Sequence, residues 1–392
     1  MNDIKNLTEG KIRSTLIKLA LPTMGTGFIQ MAYNLTDILW LGRLSTEAVA
    51  AAGAAGFFLW LATSLAIISQ VGVGVNVAQC NGKGDIEMAK KYISNGFQLD
   101  VFIALAYSLI LVLFRHQLIG FFNLQDENVI QMAVDYLTII GAGVVFHFLN
   151  PVFSAILNSS GNSLTPFKAN TVGLISNIVI DPLLIFGIGP FPVMGIKGAA
   201  LATIMAQFFV TVIFIIIGKV RGTIYSHIKL FAKPDMKIIK DIVKIGAPPA
   251  FQSTIHASIN MVITKIIAAF GPVAVAVQSV GSQIESITWM TADGFSAAIS
   301  AFTGQNYGAA KTDRIKEGYK QGIQMLGGIG IFTTLLLIFG AEPLFTIFIP
   351  NDPSAISEGI NYLRILGMSQ FLMSIEIGTT GAFNGLGKIL PP

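Results

Sequence analysis

Charged residues are scarce in this sequence of 392 residues. Asp, Glu, Lys and Arg make up 12% of the chain, about half of the roughly 25% that is typical of a soluble domain. Hydrophobic residues make up 53%, and the mean hydropathy is +0.69. Because so few charges cannot cover a water-exposed surface, the composition excludes a soluble globular protein and predicts an integral membrane protein.

Cysteine is also scarce, since Cys80 is the only one, so neither an internal disulfide nor a dithiol pair can form. The sequence has no HExxH-type metal motif and no convincing nucleophile–base pair, and its loop glycines do not form a phosphate-binding loop. The lysines lie in short connections between apolar helices, which argues against nucleic acid as a partner. We therefore expect no enzymatic activity and no cofactor.

Long apolar stretches recur along the chain and predict an all-α integral membrane bundle of ten spans, each roughly 20 residues or longer. The expected spans cover residues 14–40, 47–77, 88–114, 129–155, 164–188, 195–218, 238–268, 273–303, 315–340 and 355–385. The first apolar helix is too long for a signal-peptide core, so no cleavable signal is expected.

Lysine and arginine crowd into alternate connections, and this pattern predicts the orientation of the chain. Of the 25 such residues, 20 lie on one side of the membrane. The exceptions are Arg43, Arg115, Lys197, Lys265 and Arg364. The positive-inside rule then places the N-terminus and the long connection 219–244 in the cytoplasm. We expect a multi-pass protein of the cytoplasmic membrane.

An internal repeat runs without a gap from about residue 16 to the end of the chain. Each residue of the first unit matches the residue that follows it by a constant number of positions, the same number that separates Pro22 from Pro248. We call this separation the repeat offset. Polar and special residues carry the repeat, because apolar matches are common by chance in such a sequence. The matched pairs are Pro22 and Pro248, Asn34 and Asn260, Gln79 and Gln305, Gly82 and Gly308, Lys90 and Lys316, Gly96 and Gly322, Asp126 and Asp352, Tyr136 and Tyr362, Gly141 and Gly367, Asn158 and Asn384, Gly161 and Gly387, and Pro166 and Pro392.

Such a long and regular period means gene duplication. Since the first unit holds six spans, an even number, the second unit re-enters the membrane from the same side. Two parallel lobes about a central cleft are therefore expected.

The repeat divides the chain into an N-terminal six-helix lobe (1–220), a cytoplasmic linker (221–240) and a C-terminal lobe (241–392). The first unit continues beyond Pro166 with two further spans, whereas the sequence ends at the partner position, Pro392. The C-terminal lobe is therefore expected to hold four of six spans. Two explanations stay open: a truncated chain or gene, or a naturally short form.

Ionisable residues at membrane depth are costly and usually functional, and two aspartates share one depth in this chain. Asp37 in span one and Asp181 in span five both lie in the outer halves of their helices. Asn177 precedes Asp181 by one turn, and Thr203 in span six falls at a similar depth. Tyr33 and Gln30 lie one and two turns below Asp37 on one stripe.

Packing of the first, fifth and sixth spans would bring these groups into one pocket. Two carboxylates in a low-dielectric pocket cannot easily both stay ionised, so the pocket should bind a proton. The same oxygens of Asp37, Asn177 and Asp181 could instead hold Na+ if the geometry supplies five or six ligands. As a purely structural alternative, each aspartate is a hydrogen-bonded contact between helices. Pro22 marks a hinge in span one, and Pro182 frees a carbonyl beside Asp181.

Three stretches of this sequence resemble the multidrug and toxic compound extrusion (MATE) transporters. They are Gln79-Cys80-Asn81-Gly82, Gly304-Gln305-Asn306-Tyr307-Gly308-Ala309 and Gly195-Ile196-Lys197-Gly198-Ala199-Ala200-Leu201-Ala202-Thr203. The resemblance covers essentially the whole chain. Within that family, the residues of spans one and five are similar to the DinF-like branch, in which the matching aspartates and asparagine form the cation site and the matching proline lets the first helix bend.

The resemblance leaves a second ion site in doubt. The NorM-like branch uses a glutamate of span seven to bind Na+ in the other lobe, and the matching position here is His256. Glu285 in span eight and Glu376 in span ten are further candidates for the substrate cleft. Asp293 is expected to pack against serines, and His147 sits at mid-membrane depth in span four.

The sequence thus predicts a secondary antiporter that exports small organic cations or drugs in exchange for H+ or Na+, by alternating access of two lobes. Its partners are the lipid bilayer and the substrate, and we expect a monomer. Two alternatives are a lipid-linked precursor flippase of the same superfamily, which should line its cleft with arginines, and an inactive truncated transporter.

Overall fold

The computed structural model describes residues 5–226, 228–349 and 353–388, and these residues form helices, turns and loops only. The described residues contain thirteen helices: α1 (Ile12–Leu44), α2 (Thr46–Lys83), α3 (Ile86–Leu113), α4 (Arg115–Gly120), α5 (Glu127–Ser159), α6 (Leu164–Phe186), α7 (Ile196–Arg221), α8 (Met236–Ala268), α9 (Pro272–Gly308), α10 (Thr312–Phe339), α11 (Ala341–Phe348), α12 (Pro353–Gly367) and α13 (Gln370–Leu386). The all-helical prediction is confirmed. Two repeat partners named above, Asp352 and Pro392, lie outside the described residues.

Side chains at the helix starts explain several of these boundaries. Ser45 accepts a hydrogen bond from the backbone N–H of Ala48 and begins α2, while Asp85 and Asp126 cap α3 and α5 in the same way. Such caps satisfy N–H groups that have no partner within the helix.

Each predicted span falls on a long helix, except that the tenth is divided between α12 and α13. Six of the described helices are long and apolar enough to cross a membrane by length and composition: α2, α3, α5, α6, α7 and α10. The ten-span count therefore stays a prediction. The short helices α4 and α11 were not predicted.

The helix boundaries recur along the chain at the repeat offset. Both ends of α10 match those of α3 in this way, and the start of α11 matches the start of α4. Helices α12 and α13 together cover the range that α5 covers in the first unit. The second unit differs from the first in the break after Gly367, because α5 is continuous at the matching position.

Helices of the two repeats pack against each other across a pseudo-symmetric seam, in which α2 contacts α8 and α9, and α1 contacts α9. Where α2 and α9 cross near their C-terminal ends, a Cβ on Gly82 would collide with the backbone of Gln305. A Cβ on its repeat partner, Gly308, would collide with the backbone of Gln79. Small residues permit this close approach of helix backbones in membranes. The two helices of the seam are therefore in direct backbone contact at this end of the molecule.

The segment of residues 5–10, here named the N-terminal strap, passes under the same end of the seam. Its Lys5 N–H donates to the carbonyl of Ser160 at 2.8 Å, which ties the strap to the first repeat. Its Leu7 N–H donates to Oε1 of Gln305 in the second repeat at 2.9 Å. Nε2 of Gln305 in turn donates to the carbonyl of Ser159 at 2.8 Å. The Gln305 amide thus joins the strap and both repeats.

Two basic side chains of α10 and its N-cap hold the following residues of the strap. Lys311 Nζ donates to the carbonyl of Thr8 at 2.9 Å, and Arg314 donates to the carbonyl of Glu9 at 2.7 Å. The strap is therefore part of the folded core of this end and contacts both repeats.

Candidate functional site

The candidate site lies where α1 meets α6. Asp37 and Tyr33 are one helical turn apart on α1, and Tyr33 is buried. The hydroxyl of Tyr33 rests against Gly173 of α6, where any Cβ would collide with it. Asn177 and Asp181 follow Gly173 by one and two turns on the same face. Glycine at this position therefore lets the polar stripes of two helices meet.

The side chains of Asp181 and Asn177 are close neighbours of the Asp37 carboxylate, although no hydrogen bond of normal geometry joins them. Thr203 of α7 donates from Oγ1 to Asp37 Oδ2 at 3.3 Å and to the carbonyl of Ala199 at 3.0 Å. Asn177 and Asp181 are fully buried, whereas Asp37 is half-buried. Three helices thus supply one compact polar pocket, in which two acidic groups are neighbours.

Six polar atoms of this pocket have no hydrogen-bond partner among the described residues. They are the Tyr33 hydroxyl, Asp37 Oδ1, both polar side-chain atoms of Asn177 and both carboxylate oxygens of Asp181. A buried polar group without a partner costs about 1–3 kcal/mol, so such groups are rare and call for an explanation. Five of the six atoms are oxygens, which are the ligand atoms of hard cations. The donor set fits either a proton or Na+.

In the described part of the chain, no lysine or arginine forms an ion pair with the pocket carboxylates. The ion pairs among the described residues are Lys90–Glu87 at 2.7 Å and Lys197–Asp135 at 3.2 Å, and neither involves the pocket. Two adjacent buried carboxylates without a counter-charge pay a large desolvation cost as anions. Chemistry therefore favours a pocket that takes up a small cation from solution.

Tyr136 is a pocket neighbour that the sequence analysis used only as a marker of the repeat. This buried α5 residue lies close enough to Asp37 and Asp181 for their charges to act on its phenol group. Its signal in the sequence was its depth, because it is a polar aromatic residue in the outer half of span four.

Gln30 is not brought into the pocket, since its side chain is exposed although it lies on α1 below Tyr33. Pro22 lies inside α1, and its missing N–H leaves the carbonyl of Lys18 without its helical donor. Ser163, at the start of α6, approaches that carbonyl with its Oγ at a long 3.5 Å. The helix is therefore weakly supported at Pro22, as a hinge requires.

Glu285 of α9 lies at the break between α12 and α13. Gln370, the first residue of α13, is fully buried and donates from Nε2 to Glu285 Oε1 at 3.3 Å and to the carbonyl of Leu366 at 3.1 Å. Glu285 is half-buried and does not reach the pocket of Asp37. Its hydrogen-bond partner is Gln370 at the helix break. This contact is compatible with a structural role for Glu285 and with a role in the substrate cleft.

Glu376 lines a separate cavity of about 310 Å³ between α8 and α13. Its side chain is exposed. The other lining residues are Pro249, Gln252, Thr379, Thr380, Phe383 and Asn384. His256 is exposed on α8, one turn beyond Gln252 on the same face. The volume lies at the small end of the range of about 300–1,000 Å³ for ligand pockets.

Asp293 and His147 occupy different environments. Asp293 is exposed, and its neighbour Gly294 packs against Met24 near Pro22. The expected packing of Asp293 against serines stays a prediction. His147 is half-buried, and its Nε2 lies 2.9 Å from Thr63 Oγ1.

Asp100 of α3 is a buried carboxylate that sequence reasoning missed. It is fully buried, and neither of its oxygens has a hydrogen-bond partner at normal geometry among the described residues, although Ser69 of α2 is its polar neighbour. Its place in the middle of span three could have identified it.

The α1 side of the polar pocket is not repeated in α8. At the repeat offset, the partners of Tyr33 and Asp37 are Ile259 and Ile263, and both are exposed apolar side chains of α8. The acidic residues of the pocket, Asp37 and Asp181, both lie in the first unit.

Comparison with known proteins adds independent information. A model of the MatE family matches residues 22–183 and 248–392. The two matched segments begin at Pro22 and Pro248, so their separation is the repeat offset itself. The match covers most of the chain and confirms the family resemblance seen in the sequence.

Curated relatives and solved structures agree with this match. The chain is 29% identical to the "Probable multidrug resistance protein NorM" of Thermotoga maritima, over 97% of this chain and 82% of that protein. It is 26% identical to the "FAD transporter" of Shewanella oneidensis, over 98% of this chain and 84% of that protein. Its fold resembles the "Crystal structure of MATE in the straight conformation" with a TM-score of 0.90 at 24% identity, over 99% of this chain and 86% of that one.

Proposed function

Since the chain belongs to the MatE family of multidrug efflux transporters, we propose that it exports organic cations in exchange for H+ or Na+. It is a multi-pass membrane transporter, and its relatives are named as transporters rather than enzymes. The observation that carries the proposal is the pocket of Asp37, Asn177 and Asp181, where buried oxygens converge that have neither a hydrogen-bond partner nor an ion pair among the described residues. Such a group of atoms gains free energy when a small cation enters.

The proposed architecture has two lobes, residues 1–220 and 241–392, joined by the linker 221–240. The second lobe holds four spans against six in the first. The repeated helix boundaries support this division. The excess of lysine and arginine on one side supports a cytoplasmic N-terminus, and the N-terminal strap and the linker then lie on the cytoplasmic face.

Transport proceeds by alternating access, through rocking of the two lobes about the seam. Closure of the cytoplasmic side rests on the contacts of Gly82 and Gly308 with the opposite backbone and on the Gln305 hydrogen bonds. Entry of H+ or Na+ at Asp37 favours bending of α1 at Pro22 and release of the substrate to the outside. Return of the empty transporter requires that the ion leave to the cytoplasm.

The substrate is proposed to be an apolar organic cation. Carboxylates dominate among the ionisable groups at membrane depth, and the cavity beside Glu376 combines one carboxylate with threonine hydroxyls and the ring of Phe383. A cation held by such a site gains from both charge and apolar contact. Glu285, Asp293 and His256 are proposed to line the cleft on the way to it.

Reconstitution in liposomes tests the proposed antiport. A fluorescent organic cation is followed under an imposed pH gradient and, separately, under an imposed Na+ gradient. We expect the cation to move against the flow of one of the two ions. Movement under neither gradient would contradict the antiport and favour a flippase or an inactive chain.

Replacement of Asp37 by Asn tests the role of the pocket. Because Asn removes the negative charge but keeps the shape, we expect ion-driven export to be abolished while expression and folding are retained. Asp126→Asn is the matched control, since Asn caps a helix as well as Asp does. Normal gradient-driven export by the Asp37→Asn variant would exclude the proposed coupling site.

A further inference from the structure

The connection between α7 and α8 is held against the side of α3. Nε2 of Gln98 lies within hydrogen-bond distance of three backbone carbonyls of this connection, those of Lys229 at 3.0 Å, Leu230 at 3.0 Å and Ala232 at 2.8 Å. Asn95 Oδ1 accepts the N–H of Asp235 at 2.7 Å. The connection is thus fixed in place by polar side chains of α3 rather than extended into water.

These contacts set the height of the connection along the membrane normal. Gln98 follows the first residue of α3 by twelve positions, which is about 18 Å along the axis at 1.5 Å per residue. Helix α3 has 28 residues, or about 42 Å, which exceeds the roughly 30 Å of the hydrocarbon core. Its charged residues Glu87, Lys90 and Lys91 lie in its first two turns, so this end of α3 extends beyond the hydrocarbon. The connection lies against the N-terminal half of α3, between these charges and the middle of the helix.

The outward side of the connection combines exposed apolar and basic side chains. Phe231 is 103% exposed, and Leu230 and Met236 are 44% and 70% exposed. Lys229, Lys233 and Lys237 are exposed on either side of them. Phe231 is not covered by any of the described residues, and together with Leu230 and Met236 it forms an exposed apolar patch. Contiguous apolar patches of this kind mark interaction sites.

Three acidic groups near this surface are already engaged by protein atoms. Glu87 is close enough to Lys229 for their charges to interact, and it pairs with Lys90 at 2.7 Å. Asp235 Oδ1 accepts the N–H groups of Lys237 and Ile238 as the N-cap of α8. Asp241 accepts a long hydrogen bond of 3.4 Å from the Tyr92 hydroxyl. The lysines therefore form no ion pair within the described residues and present their charges outward.

We propose that residues 229–237 bind anionic phospholipids of the adjacent leaflet. Lys229, Lys233 and Lys237 contact the headgroup phosphates, while Leu230 and Phe231 insert at the acyl boundary. Juxtamembrane basic residues are attracted to anionic leaflets, and apolar side chains next to them add burial at the interface. The inference needs the membrane embedding of the protein and does not depend on ion-coupled export.

Native mass spectrometry of the full chain in neutral detergent tests the charge component. Phosphatidylglycerol and phosphatidylcholine are titrated onto the protein and onto a variant with Lys229→Gln, Lys233→Gln and Lys237→Gln. At about 1 kcal/mol per basic residue, we expect roughly a hundredfold loss of phosphatidylglycerol affinity, with phosphatidylcholine unaffected. The matched control carries Lys83→Gln, Lys316→Gln and Lys320→Gln, which remove exposed lysines of the same face. Equal losses in the two triple variants would overturn the proposal, and so would full competition by inorganic phosphate.

Fluorescence quenching tests the inserted side chains. In vesicles that contain brominated phosphatidylglycerol, Phe231→Trp should show strong quenching beyond that of the unmodified protein. Placing the tryptophan in the exposed α9 position Tyr307→Trp provides the control outside the proposed surface. Size-exclusion chromatography and circular dichroism establish that each variant is folded. Quenching of the residue-231 tryptophan no greater than in the control would show that the loop does not contact lipid.

Discussion

Three aspartates of this protein have buried carboxylate oxygens without hydrogen-bond partners among the described residues: Asp37, Asp100 and Asp181. Asp37 and Asp181 share one pocket, and their burial is explained if the two carboxylates bind an ion together, as proposed. Asp100 stands alone between α2 and α3, with only Ser69 as a polar neighbour. At the scale of single residues, the unfavourable burial of carboxylates therefore has a proposed function in the pocket of Asp37 and Asp181, whereas no function is proposed for Asp100.

The isolated carboxylate leads to a stability prediction. Asp100→Asn keeps the side-chain volume and removes a buried group that carries a desolvation cost as an anion. We expect the Tm in detergent to rise by a few degrees, corresponding to about 1 kcal/mol or more, with export unchanged. Thermal unfolding followed by circular dichroism measures the shift.

A second Asp→Asn substitution tests whether the rise in Tm is specific to Asp100 or follows from any such replacement. Asp241→Asn changes a carboxylate that accepts a hydrogen bond from Tyr92, and we expect no rise in Tm. A fall in the Tm of Asp100→Asn, or loss of its export, would show that the Asp100 carboxylate is needed in its charged form.

At the scale of helices, the weakest point of α1 lies at Pro22. The carbonyl of Lys18 has lost its helical donor and meets only the distant hydroxyl of Ser163. Helix α1 carries Asp37 and Tyr33, so a bend at Pro22 would move both away from α6. A small change of backbone geometry can thereby open or close the whole pocket.

Pro22→Ala restores the missing hydrogen bond of α1 and should make the helix stiffer. We expect the maximal export rate to fall at least several-fold while the protein remains folded. Fluorescence-based transport in proteoliposomes measures the rate. Pro248→Ala is the repeat-related control in α8, a helix whose matching positions carry isoleucines instead of Tyr33 and Asp37. An equal effect of both substitutions would argue that proline acts through general flexibility and not through the pocket.

Much of the helix order could be predicted from the sequence, for reasons that are local. The long apolar stretches predicted the positions of the long helices. The constant offset between Pro22 and Pro248 predicted the duplicated unit. The break between α12 and α13 could not be predicted, because Gly367 before it matches Gly141 inside the continuous helix α5. The turn is held by Gln370 through contacts with Glu285 and Leu366.

The candidate site was predictable to a similar extent. Depth and helical spacing correctly brought Asp37, Asn177 and Asp181 together. Spacing alone failed for Gln30, whose exposure depends on which neighbouring helix covers that part of α1. The dependence of Tyr33 on Gly173 also required the packed structure, because neither residue indicates the contact by itself.

At the scale of the whole molecule, the seam between the repeats closes the cytoplasmic side in the proposed transport cycle. A methyl group on Gly82 would collide with the backbone of Gln305, so Gly82→Ala must separate the helix ends. We expect this variant to open the cytoplasmic side. A Thr303→Cys reporter at a fully buried position, introduced together with Cys80→Ser, should then react with a maleimide at least several-fold faster.

The same helix offers a control for the seam experiment. A Cβ on Gly56 meets no atom within 4 Å, so Gly56→Ala should leave the labelling rate unchanged. Unaltered labelling in the Gly82→Ala variant would show that the crossing of α2 and α9 does not keep this side closed.

The presence of both pocket aspartates in a single repeat has an electrical consequence. In the proposed antiport, two carboxylates in one pocket let each turnover carry at most two positive charges inward, whereas a monovalent substrate carries one outward. Under full loading the cycle would move one net charge across the bilayer. Membrane voltage, negative inside, would then drive export even when the ion concentrations on the two sides are equal.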